Sequence, residues 1–346
     1  DDKESPYIPF NSVNILEYKK IFKKVSEAKV ITLANKKGGV GKSTTTMNLA
    51  ATLAYQGFNV LIADMDTQAN TTAMLDIYLG TDYTKTIIDA MYDVTEANVE
   101  EDVESLVTSK IVNVGKKLGF IGNLDILPNS GSQENESKFE NLENNLKKFT
   151  NVNNVLNDVF ETVKDKYDFI IIDTPPRVDI TLRVSAMASD YIIMVFTAEK
   201  MSKDGIPSFL DALYNLNKAY YQQKNKKINL LGGIINSYAQ NINLQKGFAM
   251  DIEDHIKEVL NELNFDYNIN FLDVDDSNNI IFDRKIKRAI KIQDTQLNGY
   301  GTFLSKDSLE NDIIDNTSID MIKDYFELTD NIISRIIINM TNENEI

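Results

Sequence analysis

Residues 35–44 of the chain read Asn35-Lys36-Lys37-Gly38-Gly39-Val40-Gly41-Lys42-Ser43-Thr44. The stretch follows a short apolar run at residues 30–34 and precedes a segment with helical periodicity. Its glycines let the backbone curl so that successive N–H groups face inward, and the N-terminus of the following helix adds a positive partial charge. Lys42 would then reach the outer phosphates of a nucleotide, and the Ser43 hydroxyl would bind a magnesium ion that bridges them. Strand, glycine-rich turn and helix in this order predict a nucleotide-phosphate site.

Short apolar runs alternate with longer helical patterns along the rest of the chain. The apolar runs lie at residues 30–34, 60–63, 124–127, 169–172, 191–196 and 230–235. The helical patterns lie at residues 43–56, 152–166, 206–222 and 244–263. Runs that are apolar at nearly every position are typical of strands buried on both faces, and such strands need helices to cover them. The sequence therefore predicts an α/β fold: a doubly wound, mostly parallel sheet with helices on both faces.

The flanking segments suggest how the chain is divided. Residues 1–28 carry apolar side chains at roughly helical spacing, so we expect an N-terminal amphipathic helix docked on the main domain. We expect residues 29–346 to form one domain, because no linker divides them. Within it, the polar residues 129–154 could be a mobile excursion, but the spacing of their apolar side chains favours a helix. Residues 318–340 predict a C-terminal amphipathic helix, with a potential break near Thr329.

Composition excludes several classes of site. The chain has no cysteine and one histidine, so it has no disulfide, no cysteine metal cage, no thiolate nucleophile and no zinc site built from several histidines. We interpret the one imidazole, His255, as a residue of a helix surface. Since no apolar run reaches membrane-spanning length and the acidic start lacks the basic region of a signal peptide, we expect a soluble, cytoplasmic protein. A formal net charge of −16 argues against a surface that coats DNA, so any nucleic-acid contact must come from a local basic patch.

The glycine-rich stretch resembles the deviant Walker A motif of the ParA and MinD ATPases, a family of P-loop NTPases. The resemblance rests on an extra lysine placed before the glycines, and it implies ATP hydrolysis with Mg²⁺. In that family the extra lysine crosses a dimer interface to the phosphates of the opposite subunit, and the resemblance gives this catalytic role to Lys37. It implies nucleotide contacts from Lys37, Gly38, Gly39, Val40, Gly41, Lys42, Ser43 and Thr44.

Two further motifs lie in the order that the family has them. Residues 60–70 read Val60-Leu61-Ile62-Ala63-Asp64-Met65-Asp66-Thr67-Gln68-Ala69-Asn70 and resemble the second signature, a strand that ends in Asp-x-Asp-x-Gln. The family often has proline where this chain has Thr67. Phosphoryl transfer requires mainly positioning and charge stabilisation, and a carboxylate here can orient the attacking water. Asp66 is the candidate for that role, with Asp64 nearer the metal.

The third motif is Phe169-Ile170-Ile171-Ile172-Asp173-Thr174-Pro175-Pro176, which resembles the family's Walker B motif. Ligands of open α/β sheets gather at the carboxyl ends of the strands, and the resemblance implies that Asp173 holds magnesium through water. An aspartate that ends a strand is by itself more typical of a turn, but three motifs in order favour the site. The resemblance weakens later in the chain: Asn236 could read the adenine edge or simply form a turn.

The missing cysteines distinguish between branches of the family. Nitrogenase iron proteins and iron–sulfur carrier ATPases hold a cluster with cysteines, so those branches are excluded. The cell-division branch anchors to membranes through a basic amphipathic tail, whereas residues 342–345 here read Asn-Glu-Asn-Glu, which an anionic membrane would repel. DNA partition remains. In that branch an ATP-bound homodimer binds DNA non-specifically, and a centromere-binding, ParB-like partner stimulates hydrolysis.

Two basic clusters could contact DNA phosphates. One combines Lys218, Lys224, Lys226 and Lys227 with Tyr220 and Tyr221. The other, which lies where partition ATPases use basic residues, consists of Arg284, Lys285, Lys287, Arg288 and Lys291. The first could equally be a solvated helix end, because exposed basic clusters are common, whereas for the second we favour contact with phosphates. Contacts of this kind bind phosphates without reading sequence, and they would make the protein nucleoid-associated.

Two other functions remain open from the sequence. A ParA- or MinD-type ATPase could position a protein cargo or a membrane-associated partner without binding DNA. A small-molecule ligase could use the same phosphate loop, but no second substrate site is recognisable. Partition is the main hypothesis, because it accounts for the three motifs, the missing cysteines and the basic cluster together.

Overall fold

The computed structural model describes residues 18–22, 27–75, 85–96, 102–118, 120–146, 154–199, 205–224, 227–238, 243–267, 280–287 and 316–342. Its sheet has seven strands in the order β3-β4-β2-β5-β1-β6-β7. The strands are β1 (Lys29–Ala34), β2 (Val60–Asp64), β3 (Val112–Asn113), β4 (Leu124–Leu127), β5 (Phe169–Asp173), β6 (Tyr191–Thr197) and β7 (Asn229–Asn236). Every pairing is parallel except that of β3, which runs antiparallel to β4.

Helices cover both faces of this sheet. They are α1 (Lys42–Tyr55), α2 (Asn70–Met74), α3 (Ile87–Glu96), α4 (Val103–Thr108), α5 (Gly115–Leu118), α6 (Gln133–Leu146), α7 (Val155–Glu161), α8 (Ile180–Met187), α9 (Ile206–Lys224), α10 (Asn243–Tyr267) and α11 (Asn316–Asn342). One face packs against α1 and α11. The opposite face carries two helical groups. One consists of α3, α6 and α7, the other of α9 and α10, and α8 packs against both.

The central strands are apolar at nearly every position because each of them faces two cores. In β5, Phe169 and Ile171 pack toward α1, while Ile170 and Ile172 pack toward α7. All four side chains are fully buried, and burying one such side chain contributes about 1.5–3 kcal/mol. This confirms the predicted fold class, a doubly wound and mostly parallel sheet.

The predicted elements agree closely with the structure. Each of the six predicted strands is present within one residue of its expected bounds. The polar stretch forms a helix, α6, as favoured. The C-terminal helix is continuous through Thr329, whose hydroxyl donates to the Tyr325 carbonyl (2.7 Å), so the potential break there was wrong. The short antiparallel edge strand β3 was not predicted.

The N-terminal extension is described only in part. Residues 18–22 are helical, and Phe22 packs against Phe58 and Phe169, with ring centroids 5.9 and 4.8 Å apart. Residues 1–17 and 23–26 lie outside the described residues. The division into an extension at 1–28 and a domain at 29–346 therefore stays a prediction.

Residues 280–287 lie against the edge strand β7. The Phe282 N–H donates to the Gly233 carbonyl (2.8 Å), and the Ile286 N–H donates to the Ile235 carbonyl (2.9 Å). The buried guanidinium of Arg335, on α11, donates to the carbonyl of Leu231 at 2.9 Å and to that of Ile280 at 3.2 Å. The segment is thereby fastened between the sheet and α11. Among the described helices, none has the length and apolar character that a membrane span requires.

Candidate active site at the carboxyl edge of the sheet

The glycine-rich loop joins the carboxyl end of β1 to the N-terminus of α1. Gly39 has φ 72° and Gly41 has φ 87°, which is left-handed backbone that glycine adopts without strain. Gly41 is also crowded, because a Cβ added there would lie 2.1 Å from Nδ2 of Asn236. The left-handed backbone therefore requires glycine at position 41, and a Cβ there would also have to displace the Asn236 amide.

Lys42 is buried at the start of α1. Burial lowers the pKa of its ammonium, while the nearby Asp173 and Asp66 carboxylates oppose that effect. The structure thus brings together three of the predicted residues, one cation and two anions, beside the loop. A buried cation in this position suits the phosphates of a bound nucleotide, because a water-excluded site strengthens charge interactions.

Lys37 lies at the surface of the loop. Its ammonium donates to Oε2 of Glu199 at 2.9 Å, and the two side chains are 34% and 61% exposed. The lysine lowers the pKa of the Glu199 carboxyl. A pair this exposed contributes about 0–1 kcal/mol, so another anion can displace Glu199. The role of Lys37 in a second subunit stays a prediction.

Asp64 and Asp173 end neighbouring strands and are register partners across β2 and β5. Both are fully buried. Burial raises the pKa of the Asp64 carboxyl, and the neighbouring Asp173 raises it further. Burial likewise raises the pKa of the Asp173 carboxyl, which the Ser43 and Thr71 hydroxyls oppose. Two buried like charges this close are costly, and a divalent cation would relieve the cost.

The donor set at this edge fits magnesium. Oδ1 of Asp173 is buried and has no hydrogen-bond partner in the part of the chain that the structure describes. Ser43 lies beside the same carboxylate and influences its pKa. Magnesium is usually held by one or two carboxylates together with the oxygens of substrate phosphates. No group of three or more metal-ligating side chains occurs among the described residues, which leaves these few oxygens as the protein's contribution.

Asp66 follows β2 in a tight turn. Its backbone N–H donates to Oδ1 of Asp64 (3.1 Å), and its own Oδ1 accepts from the Gln68 N–H (3.0 Å). Its carboxylate influences the pKa of both Lys42 and Asp173. Asp66 is therefore close to the residues that would surround the terminal phosphate, as a water-positioning group must be.

Asn236 ends β7 against the phosphate loop. Its amide donates to the Val40 carbonyl (3.2 Å) and to the Thr45 hydroxyl (3.3 Å), and its Oδ1 accepts from the Ser237 N–H (2.8 Å). These contacts give the side chain a role in holding the loop. Recognition of adenine by Asn236 stays a prediction.

The second basic cluster is accompanied by carboxylates of α11. Arg284 donates to Oδ1 of Asp324 (3.2 Å) and also pairs with Glu327. Lys287 donates its backbone N–H to Oδ2 of Asp324 (3.0 Å) and places its ammonium 3.4 Å from Asp320. Much of the positive charge of this cluster is thus already neutralised within the chain.

The remaining basic residues are described unevenly. The Lys285 ammonium lies 6.0 Å from the centroid of the Tyr238 ring, a cation–π contact. Arg288 and Lys291 lie outside the described residues. In the first cluster, Lys218 and Lys227 are exposed, and the side chains of the other members lie outside the described set.

Sequence reasoning missed three residues that contact the predicted site. Thr71 donates its hydroxyl to Oδ2 of Asp173, Thr72 donates its hydroxyl to Oδ2 of Asp64, and Glu199 accepts from Lys37. Only the threonines had a sequence indication, since they follow the second motif directly. His255 pairs with Glu258, with Nδ1 3.3 Å from Oε2, as expected for a residue of a helix surface.

The chain is similar to several known proteins. Soj, the sporulation initiation inhibitor protein of Bacillus subtilis, is 30% identical over 194 residues, which cover 55% of this chain and 66% of Soj. A virulence-plasmid ParA family protein of Chlamydia psittaci is 28% identical over 232 residues, covering 66% of this chain and 77% of that protein. A candidate plasmid partition protein of Borrelia burgdorferi, solved with AMPPNP, is 25% identical with a TM-score of 0.53, covering 90% of this chain and 98% of that chain.

A family model described as an AAA domain matches residues 28–230. The match includes β1 to β6, the phosphate loop and the three carboxylates at the edge of the sheet. Because the match covers more than half of the chain, and the relatives above include a ParA family protein and a plasmid partition protein, the chain belongs to the AAA domain family and is a ParA-type P-loop ATPase.

Proposed function

We propose that the chain is a nucleotide-switched partition ATPase. It binds ATP with Mg²⁺, dimerises face to face, binds DNA without sequence preference in that state, and releases DNA after slow hydrolysis that a ParB-like, centromere-binding partner stimulates. The observation that carries the proposal is the convergence of Lys42, Asp66 and Asp173 beside the glycine loop, at one edge of the sheet. Such a protein would act in the cytoplasm, associated with the nucleoid.

Each residue of the phosphate site has its own role in hydrolysis. The backbone of the glycine loop holds the phosphates, and Lys42 balances their charge. Ser43 and Asp173, with Asp64 nearby, would hold magnesium, which when bound neutralises charge that develops on the phosphate oxygens. Asp66 orients the attacking water in line with the terminal phosphate. The site supplies position and charge, which is what phosphoryl transfer mainly requires.

Lys37 provides the switch between monomer and homodimer. In one subunit its ammonium pairs with Glu199 at the surface, where a phosphate of a facing subunit can compete for it. ATP favours the dimer because both lysines then find a more highly charged partner, and hydrolysis removes that preference. The role follows from the family resemblance, and the exposed position of the Lys37 side chain is compatible with it.

DNA contact is assigned to Arg284, Lys285, Lys287 and Arg288, of which the last lies outside the described residues. Contacts from such side chains are to phosphates and carry no sequence information. Dimerisation doubles the number of contacts, which raises the affinity of a patch that is weak in one subunit. Partition names among the relatives support this assignment.

A second candidate function is favoured by the acidic partners of that patch. Asp320, Asp324 and Glu327 neutralise Arg284 and Lys287 within the chain. A surface with balanced charge is a poorer DNA site than an uncompensated one, because DNA affinity depends on phosphates neutralised by free cations. The second candidate is therefore a ParA-type ATPase that positions a protein cargo and does not bind DNA.

Electrophoretic DNA binding with ATP, with ADP and without nucleotide separates the two candidates. Partition predicts salt-sensitive binding that appears only with ATP, together with an ATP-dependent dimer in sedimentation. Lys285→Gln should lower the slope of log K against log salt by about 0.9 for each phosphate that the variant no longer neutralises. The double variant Lys218→Gln/Lys227→Gln is the comparison, because it removes charge from the other basic cluster.

The outcomes are distinct. Dimerisation with ATP but no DNA binding at low salt would replace partition by the cargo-positioning function. DNA binding that disappears in the Lys218/Lys227 variant and persists in Lys285→Gln would move the DNA site to the first cluster. Absence of an ATP-dependent dimer would overturn the switch itself.

A further inference from the structure

The four oxygens of the buried Asp64–Asp173 pair are not equivalent. Both oxygens of Asp64 accept from the protein: Oδ1 from the Asp66 N–H (3.1 Å), and Oδ2 from the N–H and the hydroxyl of Thr72 (2.8 and 2.7 Å). Oδ2 of Asp173 accepts from the Thr71 hydroxyl at 2.7 Å. Oδ1 of Asp173 has no hydrogen bond of standard geometry among the described residues, although the Ser43 hydroxyl lies close enough to this carboxylate to lower its pKa. The pair therefore offers one uncommitted oxygen.

Two consecutive threonines, each bonded to a different carboxylate, make the four oxygens unequal. Thr71 and Thr72 stand in the short helix α2, which begins after Ala69, a residue in left-handed backbone with φ 53°. Both threonines are completely buried. Because β2 and β5 are neighbours and end in register, adjacent residues of one helical turn can each reach a different carboxylate.

A third residue supports the Asp64 side. The Asn129 N–H donates to the Thr72 hydroxyl oxygen (2.9 Å), and the Asn129 amide donates to the Asp64 carbonyl (3.0 Å). Asn129 is itself fully buried after β4, and its Oδ1 accepts from the Asn135 amide. Since the Thr72 oxygen accepts from Asn129, its hydrogen is directed to Asp64. The carboxylate of Asp64 is thus held directly by the turn after β2 and by α2, and Asn129 supports it through the Thr72 hydroxyl and the Asp64 main-chain carbonyl.

We propose that Thr71 and Thr72 are positioning residues that sort the two carboxylates: Thr72 commits Asp64 to ordering the turn after β2, and Thr71 fixes Asp173 so that its Oδ1 serves magnesium. This inference rests on the proposed function in that magnesium and nucleotide bind at this edge. It goes beyond the motif assignment, which treats Asp64 and Asp173 alike as metal residues. A hydrogen bond from a neutral donor to a carboxylate restricts its rotation, so the free oxygen is presented in one place.

The test measures how much magnesium strengthens nucleotide binding. ADP affinity is determined by calorimetry in excess Mg²⁺ and in EDTA, and the ratio of the two dissociation constants is compared between variants. Thr71→Val keeps the shape of the side chain and removes the donor. We expect it to lower the ratio about tenfold while binding in EDTA changes less than twofold, because the phosphate loop is untouched. Thr71→Ser keeps the hydroxyl and should restore the ratio.

Substitution of Thr72 should change the melting temperature and leave the magnesium ratio nearly unchanged. Thr72→Val removes one of the donors that hold Asp64, so the melting temperature should fall while the magnesium ratio stays within about threefold of the wild-type value. Thr181→Val is the matched control, since the Thr181 hydroxyl is buried without a hydrogen-bond partner among the described residues. That variant should leave the ratio unchanged and should not lower the melting temperature, because it removes a hydroxyl without a hydrogen bond.

The results that overturn the proposal differ from those that overturn the function. If wild-type protein binds ADP equally well with Mg²⁺ and with EDTA, the magnesium function fails. If wild type shows the enhancement and Thr71→Val keeps it, or if Thr71→Ser fails to restore it, the positioning role fails. Should Thr71→Val not fold, Thr71→Ala, which also removes the donor and adds no bulk, gives the same decision when Mn²⁺ binding is followed by electron paramagnetic resonance.

Discussion

The pair between Lys37 and Glu199 should oppose dimerisation, because a lysine held by its own subunit is less available to the other. Glu199→Gln removes the competing charge and leaves the size of the side chain almost unchanged. The two side chains are 34% and 61% exposed with the charged atoms 2.9 Å apart, which places the pair among exposed ion pairs worth about 0.2–1 kcal/mol. Each dimer releases two such pairs, about 0.4–2 kcal/mol in total, so the dimer should tighten about 2- to 30-fold.

Sedimentation velocity with AMPPNP measures this change directly, because the analogue keeps hydrolysis from dissociating the dimer. The difference between variant and wild type should shrink as salt rises from 50 to 500 mM (about 14 to 4 Å of screening length), since exposed charges are screened. Glu258→Gln is the control: it removes an exposed carboxylate that pairs with His255, away from the loop. A dimer that is unchanged or weakened in Glu199→Gln refutes the competition, and weakening would instead assign Glu199 to the facing subunit.

Three further predictions concern the site and the fold. Asp66→Ala should keep the ATP-bound dimer and stop hydrolysis in a phosphate-release assay; normal turnover would reassign the water-positioning role. Gly41→Ala should abolish nucleotide binding in calorimetry, because its φ of 87° and the 2.1 Å approach to Asn236 both reject a Cβ; wild-type affinity would contradict that geometry. Burial raises the pKa of the Asp125 carboxyl, so its contribution to the free energy of unfolding should fall as pH rises above about 4. Asp125→Asn should therefore make the unfolding free energy, measured by urea titration, depend less steeply on pH. The same pH dependence in wild type and variant would contradict this.

The strands were predictable because each is buried on both faces and therefore reads as a continuous apolar run. β3 escaped prediction since it is two residues long, half-buried and contains Asn113. Asp64 and Asp173 were identified because each ends an apolar strand in a motif that resembles one of the family's, and the structure makes them register partners. The predicted elements thus followed from local pattern, and the missed one lacked it.

The missed contacts depend on residues that are distant in sequence. Thr71 reaches a carboxylate 102 positions away, and Lys37 reaches Glu199 across 162 positions, so no local pattern records either contact. The basic segment at 284–287 looked uncompensated because its acidic partners follow on α11, 33 or more positions later. Charge clusters in a sequence therefore indicate where cations are, and only the packed structure indicates whether they are free.

The position of α11 has a consequence for synthesis of the protein. This helix covers the same face of the sheet as α1 and buries Met321, Leu328, Ile332 and Ile336 there completely. Because α1 is translated long before α11, most of the sheet leaves the ribosome before that face can close. Until α11 emerges, the apolar side of α1, the helix that follows the phosphate loop, stays partly exposed. Chaperones bind apolar surface that is exposed in this way during synthesis. The apolar face that α1 and α11 share is therefore complete only once α11 has been translated.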